Sequence, residues 1–256
     1  MPNQYEYSRR FFDRYYRPEY VTIIVAGDVK ADQVRALVEK YWGNWKRGGY
    51  GADIPPEPPQ TAPREGHVDW PTPTLPWVAV AFKAPAYSDR EKDSAALDLI
   101  SLLGFSSTSE LYQKLVIREQ KVDVLSGGYP DHVDPYLFTV MARIKNPADM
   151  ASVQEQILST LASFQDNPAP PERLDTLKRH ARYSFALRLN NSEAIAATLA
   201  RYVALTRTPE TVNRRYELYR QVTPQDIQRA ARRYFEPGSR TIVTLTGASP
   251  AAGRAQ

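Results

Sequence analysis

Three histidines, 29 acidic side chains and no cysteine set the limits of the chemistry open to this 256-residue chain. His67 lies in HVDW, His132 in HVDP and His180 in HARY, and none has a second histidine four residues away on either side. A helical zinc site needs that spacing, because it projects two imidazoles from one helix face. Each histidine therefore reads as packed or solvent-facing. The lack of cysteine removes disulfides, thiolate metal sites and thiol nucleophiles together. Asp131, His132 and Asp134 (DHVD) gather three polar groups in four residues, but between Pro130 and Pro135 they read as a turn joining two strands. No G-x-S-x-G is present, and GGYG at Gly48 to Gly51 lacks the Lys-Ser/Thr and following helix of a phosphate loop. No catalytic residue and no metal ligand is assigned to this chain.

The elements that would position any site follow from periodicity. Tyr7 to Tyr16 reads as helix, Tyr20 to Ala26 (YVTIIVA) as a buried strand, and Ala31 to Tyr41 as a helix with Val34, Leu37, Val38 and Tyr41 on one face. Gly48 to Pro76 carries eight prolines with almost no periodicity, the composition of an extended linker. Beyond it come a strand at Trp77 to Lys83, a helix at Asp89 to Leu103 and a short helix at Ser109 to Glu119. Strands at Val122 to Tyr129 and Leu137 to Ile144 follow. Helices then run over Met150 to Phe164, Glu172 to Leu189, Ser192 to Leu205, Pro209 to Tyr219 and Pro224 to Tyr234, before a last strand at Thr241 to Thr246. Strands in pairs separated by blocks of helices predict an α+β fold, an antiparallel or mixed sheet covered by helices on one face.

Charge and hydropathy narrow the function classes. The 33 basic residues exceed the acidic ones by four but are interspersed with them, and Arg214, Arg215, Arg220, Arg229, Arg232 and Arg233 recur at helical spacing. They read as solvated helix faces, with no nucleic-acid motif beside them. No run approaches the roughly 18 apolar residues of a membrane span, and the first ten residues lack the apolar core of a secretory signal. Periplasm and cytosol suit a cysteine-free chain equally.

One internal repeat stands out. RRFFDRYYRPEYVTIIVAGD (Arg9 to Asp28) and AARRYFEPGSRTIVTLTG (Ala230 to Gly247) share a basic amphipathic segment, an aromatic pair, a proline two positions on, and a β-branched run ending in Gly. Pro18 and Pro237 are 219 positions apart, a period suited to a duplicated domain rather than a solenoid.

The segment YYRPEYVTIIVAGDVKADQVRALVEKYWGNWKRG resembles the end of the first domain in the insulinase/pitrilysin-type zinc peptidases. KAPAYSDREKDSAALDLISLLG, SSTSELYQKLVIREQ, DPYLFTVMARI and the C-terminal TPQDIQRAARRYF and TIVTLTG extend the resemblance over nearly the whole chain. The resemblance implies two similar domains in series, each a sheet covered by helices, and a zinc held by His-x-x-Glu-His in the first, with the Glu as general base. That motif is expected upstream of this chain. The family's substrate-holding Arg and Tyr would fall on Val116 and Asp123; neither matches, and Asp123 would repel a developing oxyanion.

The resulting expectation has four segments. Residues 1–47 are the remnant of a first peptidase-type domain, 48–76 a Pro-rich linker, 77–250 a second, non-catalytic domain, and 251–256 a tail. The chain is expected to hold no cofactor itself, with zinc in the full enzyme, and to wall a chamber for a peptide or unfolded polypeptide beside the missing N-terminal domain or a partner subunit. The alternative is a non-catalytic partner subunit or scaffold of the same fold. Strand addition is expected at Val122, Asp123, Val124, Leu125, Ser126, Gly127 and Gly128.

Overall fold

In a computed structural model that describes residues 4–248, the chain divides into two units. One gathers the residues up to 58 together with 185–209; the other takes 59–184 and the residues from 210 on. The expected tail at 251–256 lies outside the described residues.

The second unit is built on a five-stranded mixed sheet. Its strands are β1 (Arg64–Trp70), β2 (Trp77–Ala84), β3 (Val122–Gly128), β4 (Tyr136–Ile144) and β5 (Arg240–Gly247), in the spatial order β1-β5-β2-β4-β3. Only the β1–β5 pair is parallel. Side chains alternate across a strand, and one face of this sheet carries Val78, Val80, Phe82, Phe138, Val140, Ala142, Ile144 and Ile242, all buried. Against it pack α3 (Lys92–Phe105), α5 (Met150–Asp166) and α9 (Pro224–Tyr234) through Leu99, Ile100, Ile157, Leu161 and Ile227. Phe235, just past α9, sets its ring 5.3 Å from that of Phe82 and 4.9 Å from that of Phe138. The opposite face alternates Trp77, Ala79, Ala81 and Lys83 on β2 with Leu137, Thr139, Met141 and Arg143 on β4, and Leu137, Met141 and Val243 are exposed there.

Local signals explain several boundaries. Thr223 caps α9 by accepting from the Asp226 N–H, and the Asp226 carboxylate returns the bond to the Thr223 N–H, a capping box with Pro224 at the first helical position. Ser109 caps α4 (Glu110–Tyr112), which runs on as a π turn over Gln113–Arg118. Gln120 then takes φ 52°, a left-handed conformation that turns the chain into β3. Asn191 caps α7 (Ser192–Thr206) after α6 (Pro171–Arg188), and α8 (Thr211–Gln221) precedes α9.

Three expectations are corrected. The linker is not free of regular structure, because Arg64–Trp70 within it joins the sheet as β1. REGHVDW has apolar side chains only at Val68 and Trp70, both exposed, and the strand is held by the β5 backbone and by His67, whose ring nitrogens meet Thr244 Oγ1 at 2.7 Å and Thr246 Oγ1 at 3.0 Å. Residues 185–209, read as part of the second domain, cluster with the N-terminal segment, the division falling between Ser184 and Phe185 in the last turns before Asn190-Asn191.

The third correction concerns the first unit. Besides α7 and the end of α6, it holds α1 (Gln4–Tyr15), a single 3-10 turn at Pro18–Tyr20, and α2 (Ala31–Trp42). The expected strand at Tyr20 to Ala26 is absent: Val21 leaves the turn with extended backbone, yet no ladder forms among the described residues. A strand exists only where a neighbour takes up its N–H and C=O groups. Val21, Ile23 and Val25 are instead exposed, and Ile23 and Val25 line a groove of about 600 Å³ with Val29, Val34 and Val38.

Candidate functional site

The seven residues of β3 form one outer edge of the sheet, hydrogen-bonded to β4 on one side and to no strand on the other among the described residues. Its side chains divide by face. Val122 and Leu125 are buried in the core, Asp123, Val124, Gly127 and Gly128 are half-buried, and Ser126 is exposed. Gly127 has a steric reason: a Cβ there would lie 2.5 Å from the Phe105 ring, which occupies that space.

The ladder slips between Val122 and Val124, so that Asp123 is the extra residue of a bulge. Its carboxylate accepts from Arg143 Nε at 2.9 Å and from Arg143 Nη2 at 2.8 Å, a side-on fork. Arg143 stands opposite Trp77 in the β2–β4 pair, with its guanidinium carbon 5.6 Å from the centre of that ring. Hydrogen bonds from Arg143 hold the Asp123 carboxyl below its ordinary range, and the same bonds raise the guanidinium. The expectation that Asp123 presents a repelling charge is thereby corrected, since the arginine across the ladder neutralises it. Val116, in the π turn, packs against the core.

The other end of β3 is fastened through the loop that follows. Tyr129 donates its hydroxyl to the Pro85 carbonyl at 2.6 Å, and the Tyr87 N–H donates to the His132 carbonyl at 2.8 Å. Asp131 accepts from Arg215 Nη1 at 2.7 Å. Arg215 also donates to Asp98, which accepts from the Tyr219 hydroxyl as well, and its guanidinium carbon lies 5.2 Å from the centre of the Tyr87 ring. Burial pushes the Tyr219 phenol well above its ordinary range.

Arg215 is thus corrected from a solvated helix face to a buried residue, 5% exposed. The signal was available: Thr211, Val212, Arg215 and Leu218 all face inward on α8, so this arginine stands in the apolar stripe. Of the remaining arginines of the basic helices, all exposed, Arg214 pairs with Asp89, Arg220 with Glu217, and Arg229 and Arg233 with Asp93, while Arg232 donates to the Gln165 carbonyl.

The histidines are scattered. His67 bonds threonines on β5, the His132 ring lies 4.1 Å from that of Tyr136, and His180 Nε2 meets Ser184 Oγ at 3.3 Å within α6. Among the described residues no group of three His, Asp or Glu could hold a metal ion, so the donor set does not fit a zinc site. No helix there is long and apolar enough to cross a membrane.

Comparison with known proteins adds the family context. The model of the peptidase M16 inactive domain matches residues 4–180. A curated zinc protease, PqqE of Helicobacter pylori, is 26% identical over 241 residues, which is 93% of this chain and 54% of that protein. The chain therefore spans about half the length of the curated relative it matches. The crystal structure of a protease from Helicobacter pylori superposes with a TM-score of 0.83 at 24% identity, covering 93% of this chain and 58% of that one. A peptidase M16 inactive domain from Pseudomonas fluorescens gives 0.72 at 15%, covering 90% and 54%. These two likenesses speak for the fold.

Proposed function

This chain belongs to the peptidase M16 family, in the part described as its inactive domain, and from that premise we propose that it is the non-catalytic portion of a zinc metallopeptidase. In this reading it walls the chamber in which a peptide is cut. The zinc and its general base would come from a catalytic domain or subunit outside this chain, since the described histidines are engaged elsewhere. The chain alone would leave peptides intact.

The observation that carries the reading is the outer edge of β3, which meets no further strand among the described residues, beside a sheet face on which Leu137, Met141 and Val243 are exposed. Unpaired backbone groups there offer an extended polypeptide a ladder to join, and the Val124, Ser126 and Gly128 side of the strand offers little bulk to obstruct it. A second observation supports the domain series. β5 lies between β1 and β2, whereas its sequence counterpart around Ile23 has no partner strand among the described residues. In this reading residues up to 47 complete a preceding domain of the same kind.

The test combines binding and turnover. A fluorescently labelled extended peptide should bind the chain without being cleaved. The same peptide N-methylated at alternate residues, so that one edge loses its N–H donors, should lose most of that affinity. Adding a zinc-bearing M16 catalytic domain from the same protein should give cleavage. Equal binding of the methylated peptide would overturn docking on a strand edge.

A further inference from the structure

We infer that the cavity between α5 and the start of β5 binds a small carboxylate with an apolar tail, the carboxylate held by the Arg240 guanidinium. The cavity measures about 280 Å³ and is walled by Phe82 of β2, Leu158 and Leu161 of α5, and Phe235, with Glu155 and Arg240 among its polar groups. It lies on the helix-covered side of the sheet, and β5 is three strand spacings, about 14 Å, from β3. The site therefore stands apart from the peptide docking proposed at β3.

The place of Arg240 in the sheet comes first. It stands opposite Phe82 in the β2–β5 ladder, and directly opposed residues share a face. The arginine thus shares the core-facing row of β5 with Ile242, which is buried. Its side chain is half-buried, its Nε is closed to solvent, and the guanidinium finds no acceptor among the described residues. By contrast, Arg143 and Arg215 each lie against carboxylates. Burying a donor without a partner is unfavourable, and burying a cation without a counter-ion more so. An anion seated in the cavity removes both costs.

The rest of the lining sets the ligand class. Phe82, Leu161 and Phe235 are buried apolar walls. Gln165 fastens the last of them, its Nε2 donating to the Ala231 carbonyl at 3.3 Å and the Phe235 carbonyl at 3.0 Å. Walls already fixed spare a ligand part of the ordering cost. At about 30 Å³ for each water-sized group, the volume takes roughly nine, enough for a six-carbon acid. Glu155, on the exposed side of α5, makes no ion pair with Arg240 and would repel a second negative charge. A monocarboxylate fits these walls; a dicarboxylate or a phosphate dianion does not.

The experiment titrates the isotope-labelled 256-residue chain with sodium hexanoate and follows the Arg240 Nε–H and the Gln165 side-chain amide by NMR. Both signals should shift together, with a dissociation constant of about 1 mM or below. Hexanol, with the same chain and no charge, and adipate, with a second carboxylate, should each bind at least about fivefold more weakly. Arg240→Met fills similar space without the charge. It should lose at least about tenfold in hexanoate affinity and keep that for hexanol within about twofold. It should also melt no lower than wild type, because an unpaired cation has gone. Arg240→Lys keeps a cation and should bind hexanoate within about fivefold of wild type. N-acetyl-leucine divides the two sources of such a group: tighter binding than hexanoate assigns the carboxylate to a polypeptide C-terminus, weaker binding to a free acid, and either keeps the site. The inference is overturned if hexanoate and hexanol bind alike, if Arg240→Met binds hexanoate as wild type does, or if hexanoate at about 20 mM moves neither signal. None of these results bears on docking at β3.

Discussion

Arg215 and Asp131 meet across 2.7 Å with side-chain exposures of 6% and 3%, so an ion pair on α8 holds the loop between β3 and β4 from inside the molecule. Asp98 shares the same guanidinium. Removing one member of a buried ionic cluster strands the others without a partner, and that cost exceeds what the intact cluster contributes over a well-packed apolar substitute. Arg215→Met should therefore destabilise the second unit by about 3–5 kcal/mol, measured by urea denaturation. Adding Asp98→Leu and Asp131→Leu to it should recover part of the loss. A loss below about 1 kcal/mol for the single variant would mean that water reaches the carboxylates.

Acid should unfold the chain partly through Asp226. Burial alone would raise this carboxyl, but it is outweighed by the Thr223 N–H, Lys92 Nζ at 3.0 Å, Arg229 and the Thr223 hydroxyl, and the folded-state value falls well below the ordinary one. A depressed folded value means stability that is present in full above the unfolded value, about pH 4. It is lost as pH falls through the folded value. Asp226→Asn should cost about 1–2 kcal/mol at pH 7. The gap between the two stability curves should narrow steadily from pH 4 downwards; a gap that stays constant to pH 2 would assign the effect to packing.

Gly127 and Gly128 are neighbours on β3 with opposite expectations. A Cβ at Gly127 enters the ring of Phe105, itself 2% exposed, so Gly127→Ala should cost about 1–3 kcal/mol and Phe105→Leu should relieve it in the double variant. Nothing lies within 4 Å of a Cβ at Gly128, and Gly128→Ala should be neutral or slightly stabilising. Thermal melts of the three variants decide it.

These contrasts also mark what the chain discloses before it is folded. β2, β4 and the helices α3, α5 and α9 were legible because their apolar residues recur with the period of the element and Thr223, Pro224 and Asp226 spell out a helix start. The edge position of β3 was expected through strand addition at Val122 to Gly128, but no periodicity gives it, since strand order depends on which segments meet; β1 was missed, because its strand signal is confined to Val68 and Trp70. The fork between Asp123 and Arg143 joins residues 20 positions apart and follows from register and a bulge, which no local window contains. Arg215 was legible in principle from its place in an apolar stripe, but charge outweighed position in reading it.

The repeated segment gives the sharpest comparison, because one sequence pattern occupies two environments. Ile242 sits in β5 between two strands and is 4% exposed; its counterpart Ile23, 219 positions earlier, is 43% exposed and has no partner strand among the described residues. Ile242→Ser removes a filled core position and buries a hydroxyl, and should cost about 3–5 kcal/mol. Ile23→Ser in this chain should stay within about 0.5 kcal/mol of wild type, as exposed substitutions do. If residues up to 47 do finish a preceding domain, the same Ile23→Ser made in a longer protein that carries that domain should cost about 2 kcal/mol or more, because the strand would then be covered. Denaturation of the two lengths side by side separates the outcomes. An Ile23 variant equally harmless in both would show that the repeat is one of sequence alone, and that the groove around Val25 and Val38 serves something other than a missing sheet.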